Sequence, residues 1–126
     1  EVRSPINRPH FVVVIDPYIS MERSVVDGLR EGGLVVANSA LPPGKLKEML
    51  RPAVECKVAT VNATKIALDV LGSNNPNTAV LGALAEVSRI APIDFLMEAA
   101  KKAFPGRVGE LNAEAMKRGA AEVAVA

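Results

Sequence analysis

The run FVVVID, Phe11 to Asp16, sets the class of this chain. It is apolar without alternation from Phe11 to Ile15, the pattern of a strand covered on both faces, as in a parallel sheet sandwiched by helices. Pro17 ends the run, because a proline gives the ladder no donor. Ser20 then stands where it can cap a helix through Arg30, with Val25, Val26 and Leu29 on one face and Gly32-Gly33 as the stop. LVVANSA, from Leu34, reads as a second strand, PPGKLKEMLRP as a short helix closed by Pro52, and VECKVATV, Val54 to Val61, as a third strand. Strand, helix, strand, helix, strand at these spacings predicts right-handed crossovers, hence an α/β fold of three layers, α/β/α, around a mostly parallel sheet.

The second half is helical and predicts no further strand. Asn62 caps NATKIALDVLG, in which Ile66, Val70 and Leu71 form the buried stripe and Gly72 is the stop. NTAVLGALAEVSRI, PIDFLMEAAKKAF and VGELNAEAMKRGAAEV follow, with Pro92 suited to a first turn and GRVG, after Pro105, read as a turn. Between the first two helices lies SNNPN, Ser73 to Asn77. Pro76 pushes Asn75 out of helical geometry, and Asn77 can cap the helix that resumes. Gly82 costs about 1 kcal/mol relative to alanine in a helix interior, a cost that makes sense where another backbone passes close by. The loop is therefore either a turn fixing how two helices meet or a polar segment held at a site or subunit contact. The helix after it carries Val80, Leu81, Leu84 and Val87, which predict one buried face and a second face available to a partner.

With 126 residues, 49% of them hydrophobic, the chain suffices for one domain with a real core and is short for two. A formal net charge of +1 sets up no field toward nucleic acid or an anionic membrane, and three Phe, one Tyr and no Trp leave few stacking platforms for single strands. No apolar run reaches the roughly 20 residues that cross a bilayer, and EVRSPINRPH lacks a signal-peptide pattern. Cys56 is the only cysteine, so no internal disulfide forms. It reads as a core residue of a reduced, cytoplasmic protein, against the alternative of a reactive thiol.

Catalytic equipment is sparse. His10, the one histidine, has no metal-spaced partner, and no Walker, G-x-S-x-G, H-E-x-x-H or G-x-G-x-x-G pattern occurs. Polar groups nevertheless end all three strands: Asp16 after the first, Asn38-Ser39 after the second, and Asn62 to Lys65 after the third. They converge on the carboxyl edge, where open α/β sheets bind ligands. Asn62, Thr64 and Lys65 at a helix amino end can receive a phosphate or carboxylate; the competing reading is an ordinary cap with a solvated lysine.

The order VNATKIALDVLGSNNPNTAVLGALAEV, PIDFLMEAAKKAF, ELNAEAMKRG, spanning Val61 to Gly119, resembles the gamma subunit or gamma domain of 2-oxoacid:ferredoxin oxidoreductases, the pyruvate:ferredoxin oxidoreductase family. The matching pieces are Ala-Thr-Lys-Ile-Ala leading to Leu-Gly, Asn-Thr-Ala-x-Leu-Gly-Ala, and Leu-Asn-x-Glu-Ala with a following Gly. Family members open with a strand and a G-x-G-G-Q-G loop that this sequence does not contain, so the expectation is a single gamma-type domain over residues 1–126 without that strand and loop.

The resemblance implies CoA-dependent oxidative decarboxylation of a 2-oxoacid, pyruvate by default, to an acyl-CoA and carbon dioxide, with electrons passed to ferredoxin. It implies alpha, beta and delta partner subunits, with thiamine diphosphate, magnesium and iron–sulfur clusters held outside this chain and coenzyme A as co-substrate. Asn62, Thr64 and Lys65 then become candidates for an anion or coenzyme A contact, and Asn77, Thr78, Gly82 and Asn112 candidates for a structural or interface role. The alternatives left open are a stand-alone α/β module that binds a nucleotide or phosphate ligand, and a purely structural assembly subunit.

Overall fold

A computed structural model describes residues 10–126. The polar opening before the first strand lies outside them, apart from His10. Four strands form one sheet in the order β1 (Phe11–Val14), β2 (Gly33–Asn38), β3 (Cys56–Val61) and β4 (Ala124–Val125). The first two pairings are parallel, with Phe11 opposite Leu34 and Gly33 opposite Cys56. The third is antiparallel, Ala59 opposite Val125. The expectation of no further strand is thus corrected. The last residues pair with the free edge of β3, where Val58 and Ala126 exchange both backbone hydrogen bonds at 2.8 and 3.0 Å.

The helices are α1 (Pro43–Leu50), α2 (Ala63–Leu71), α3 (Asn77–Ser88), α4 (Ile93–Ala103) and α5 (Arg107–Glu122). Every residue of β2 is buried, as a strand without alternation demands. Leu34, Val36, Ala59 and Val61 face Ile66, Ala79, Val80, Ala83 and Ala115, contributed by α2, α3 and α5. On the other face Val35, Ala37, Cys56 and Val58 meet Leu29, Leu46 and Leu50. The three-layer α/β class holds, with a helix-rich second half and α4 packed chiefly on α5.

The helix expected over Ser20 to Arg30 does not form. The chain makes two short 3₁₀ turns, Ile19–Met21 and Arg23–Val26. Asp16 Oδ1 accepts the Tyr18 and Ile19 amides at 2.8 and 3.2 Å, folding the segment back on itself. Ser20 is not a cap but fully buried, its hydroxyl shared between the Asp16 carbonyl at 2.9 Å and the Asn38 carbonyl at 3.1 Å. Gly28, at φ 75°, turns the chain before a helix could run on. Val25, Val26 and Leu29 still pack on the sheet, so the apolar stripe was real although its period was misread.

Smaller boundaries also move. β2 starts at Gly33 and β3 at Cys56. Pro92 stands one residue before α4. Of GRVG, only Gly106 is outside α5, since Arg107 to Gly109 make its first turn. No helix among the described residues is long and apolar enough to cross a membrane.

Candidate functional site at the carboxyl edge of the sheet

Asn38 is the last residue of β2 and is 1% exposed. A buried amide must find partners for both its ends. Its Nδ2 donates to the Ile15 carbonyl beyond β1 at 2.8 Å and to Thr64 Oγ1 at 3.0 Å. Its Oδ1 accepts the Ala63 amide at 3.0 Å and the Thr64 amide at 3.3 Å. One side chain thus joins the exits of β1 and β2 to the start of α2. Ser39 adds a local tie, its Oγ accepting the Leu41 amide at 3.1 Å and its own amide donating to the Val61 carbonyl at 3.0 Å.

The backbone amides at the start of α2 are engaged within the chain. Asn62 is the cap, its Oδ1 accepting the Lys65 amide at 3.2 Å, and Asn38 takes the two amides before it. With the Ile66 amide given to the Asn62 carbonyl, the amides a ligand would use are engaged. Lys65 Nζ lies 2.9 Å from Asp69 Oδ2 on the helix surface. Arg118 Nη1 reaches the same oxygen at 3.3 Å. Hydrogen bonds from Lys65 and then Arg118 hold the Asp69 carboxyl below its usual range.

A cavity of about 550 Å³ opens beside Asn38. Asp16, Tyr18, Asn38 and Thr64 line it, and Asn74 and Pro76 complete the wall. The SNNPN loop breaks the run between α2 and α3, and its Asn74 and Pro76 stand on the wall of this cavity, whose lining, with Ile15 and Pro17, is more apolar than polar. Asn77 does not cap α3. It is exposed in the first turn, with Pro76 at the cap position and no side-chain cap bond.

Thr78 and Asn112, 34 residues apart, meet where α3 crosses α5, Oγ1 to Oδ1 at 3.2 Å, while Asn112 Nδ2 donates to the Val108 carbonyl at 2.9 Å. Gly82 sits further along the same seam. A Cβ there would fall on the Met116 carbonyl of α5, and a Cβ at Gly119 would fall on the Ala79 carbonyl of α3. The two glycines let the backbones touch from both sides. Leu81 is partly exposed, while Ala79 and Gly82 make the close contact with α5.

The ordered matches along α2, α3 and α5 and the shape of the whole fold can be set beside known proteins. The family described as pyruvate ferredoxin/flavodoxin oxidoreductase matches residues 1–122. The chain belongs to this family. It is 38% identical over 116 residues to the pyruvate/ketoisovalerate oxidoreductases common subunit gamma of Thermococcus litoralis, covering 92% of this chain and 62% of that one. It is 37% identical over 121 residues to pyruvate synthase subunit PorC of Methanothermobacter thermautotrophicus, covering 96% and 63%. The crystal structure of the pyruvate oxidoreductase subunit PORC of Thermotoga maritima superposes with a TM-score of 0.81 at 32% identity, over 92% of this chain and 64% of that one. The chain thus spans rather less than two thirds of the length of these relatives.

Iron–sulfur and metal ligation can be tested on the residues present. A cluster needs several thiolates, and the sequence has one cysteine. Among the described residues no three His, Cys, Asp or Glu side chains come together as metal ligands. Burial pushes the Cys56 thiol upward, with Lys47 opposing, so it stays protonated in the core. His10 Nδ1 accepts the Arg30 amide at 3.2 Å and so secures the approach to β2. Asn38 as a hub was visible in sequence only as one of several polar strand ends; its reach to Ile15 and Thr64 is a tertiary fact.

Proposed function

We propose that this chain is the gamma component of a 2-oxoacid:ferredoxin oxidoreductase, supporting the CoA-dependent oxidative decarboxylation of pyruvate to acetyl-CoA and carbon dioxide, with electrons passed to ferredoxin. The observation that carries this reading is the match to gamma and PorC chains over more than nine tenths of its length. Thiamine diphosphate, magnesium and the iron–sulfur clusters belong, on this reading, to alpha, beta and delta type subunits, in the cytoplasm. A single cysteine suits that division. The Thermococcus relative is named as a subunit common to pyruvate and ketoisovalerate oxidoreductases. By extension, this chain does not select the oxoacid, and its work is assembly together with one wall of the coenzyme A site.

The coenzyme A contact first assigned to Asn62, Thr64 and Lys65 narrows on the same reading. Asn62 is occupied as a cap. The Thr64 hydroxyl, which accepts from Asn38 and keeps its own hydrogen to donate, faces the 550 Å³ cavity. Lys65 follows Thr64 in α2 but does not line that cavity, its ammonium lying against Asp69. Thr78, Gly82 and Asn112 hold the α3–α5 seam, and the outer sides of α3 and α4, with Leu81 and Phe95 exposed, are offered to the other subunits.

Affinity purification of the chain from its native extract tests the proposal, with iron, thiamine diphosphate and pyruvate- and CoA-dependent viologen reduction measured in the recovered material. Co-purification of large subunits carrying all three is the expected result. Recovery of the chain alone would overturn it in favour of a free-standing ligand-binding module.

A further inference from the structure

Among the described residues, the lining of the Asn38 cavity contains one carboxylate, Asp16, and no lysine, arginine or histidine. Asp16 Oδ1 is taken by the Tyr18 and Ile19 amides. Its Oδ2 accepts no hydrogen bond from the described residues and has no cation of theirs within ion-pair distance. Thr64 offers the opposite polarity. Its Oγ1 accepts from Asn38 Nδ2 at 3.0 Å, and no acceptor among the described residues takes its own hydrogen.

Asn38 fixes these two walls relative to each other. The nitrogen that reaches Thr64 also donates at 2.8 Å to the Ile15 carbonyl, in the peptide group that leads into Asp16. An acceptor wall and a donor wall are thus tied to a single buried amide, both of whose ends are engaged within the chain. Ile15, Pro17 and Pro76 supply an apolar surface between them.

A phosphate is a poor guest here, because it brings further negative charge and acceptor oxygens to a carboxylate that no cation offsets. A neutral group with an N–H beside an acceptor satisfies both walls, its donor meeting Asp16 and its acceptor meeting Thr64. Coenzyme A carries such groups in two places, the amides of its pantetheine arm and the amino edge of its adenine. We propose that the Asn38 cavity receives an uncharged, hydrogen-bonding part of coenzyme A and turns its phosphates away, with Asp16 as the residue that discriminates. This rests on the gamma reading given above and reverses the anion contact first expected at this edge of the sheet.

Amide chemical shifts of the isotope-labelled full chain, titrated separately with pantetheine, adenosine and adenosine 3′,5′-bisphosphate, test it. Saturable shifts at Asp16, Tyr18, Thr64, Asn74 and the Asn38 side-chain amide are expected with pantetheine or with adenosine, and the one that binds identifies the part of the coenzyme. The bisphosphate should bind more weakly than adenosine by about tenfold or more. Asp16→Asn keeps an oxygen for the Tyr18 and Ile19 amides and replaces the free carboxylate oxygen by a donor. It should weaken the neutral probe and lift the bisphosphate to parity with adenosine, a change of preference that a loosened fold would not produce. Thr64→Val should weaken the neutral probe by about tenfold, Lys102→Gln in α4 should leave it unchanged, and urea midpoints confirm that all variants fold. No saturable shift at these positions with either neutral probe at millimolar concentration would overturn the proposal. So would a parent chain that prefers the bisphosphate, or an Asp16→Asn chain whose preference is unaltered. Any of these results, beside co-purifying large subunits, would leave the gamma reading standing; the expected shifts from a chain recovered alone would instead remove that reading and keep the preference for a neutral guest.

Discussion

Replacing Gly82 by alanine probes the α3–α5 seam with one carbon atom. That carbon would overlap the Met116 carbonyl oxygen and stand 2.7 Å from the carbonyl carbon and 3.0 Å from Met116 Cα. Carbon atoms rest about 3.5–4.0 Å apart, so the helices must separate by roughly 1 Å. All three atoms are main chain, and no side-chain rotation relieves them. A gap of that size forfeits roughly a quarter to a half of each dispersion contact along the seam. Overpacking of this kind costs about 2–3 kcal/mol, while alanine returns about 1 kcal/mol of helix propensity, leaving a net loss of about 1–2 kcal/mol. Urea unfolding followed by far-ultraviolet circular dichroism measures it, with the midpoint falling and the slope unchanged. Gly44→Ala is the internal control, because its Cβ meets nothing within 4 Å; it should be neutral or gain up to about 1 kcal/mol. Gly119→Ala should resemble Gly82→Ala, and the double variant should lose less than the two together, since one displacement of the helices accommodates both. A Gly82→Ala chain with a midpoint at or above the parent's would refute the close approach.

Asn38→Ala strands the Ala63 and Thr64 amides and the Ile15 carbonyl, for a loss of about 2–4 kcal/mol in the same assay; a loss under about 1 kcal/mol would contradict the hub. Thr78→Val removes the bond to Asn112 and should cost about 1 kcal/mol, leaving far-ultraviolet dichroism unchanged. Asp69 has a depressed carboxyl in the folded chain, so its contribution is present above the unfolded value and disappears as pH falls through the folded one. The midpoint difference between parent and Asp69→Asn should accordingly vanish in acid and shrink in molar salt, because these partners are solvent-exposed. Cys56 should resist a disulfide reagent in the native chain and react readily in urea.

The elements legible in the sequence were those whose environment is uniform along their length. β2 is buried on both faces and carries an unbroken apolar run, and α2 ends at Gly72 because that residue takes φ 72°. The segment after Asp16 misled because Val25, Val26 and Leu29 have a stripe-like spacing that two 3₁₀ turns can also satisfy; the Asp16 bonds that favour the turns are local, and the Ser20 bond to the Asn38 carbonyl needs β2 in place. β4 has no local signature in two residues; it exists because β3 has an edge to pair with. At the carboxyl edge, the polar strand ends announced a convergence, but not which side chain occupies the centre. Gly82 showed in sequence that some backbone comes close, and only the fold names Met116 as its owner.

The bonding of Asn38 has a thermodynamic consequence for anything that enters the cavity beside it. Its carbonyl end is pinned by two amides and its amino end by a carbonyl and a hydroxyl, so the group can neither flip nor change rotamer without breaking several bonds at once. The floor of the cavity is a dipole with a single orientation, set when the chain folds. Its conformational entropy is already lost before a guest arrives, and association there need not order it again.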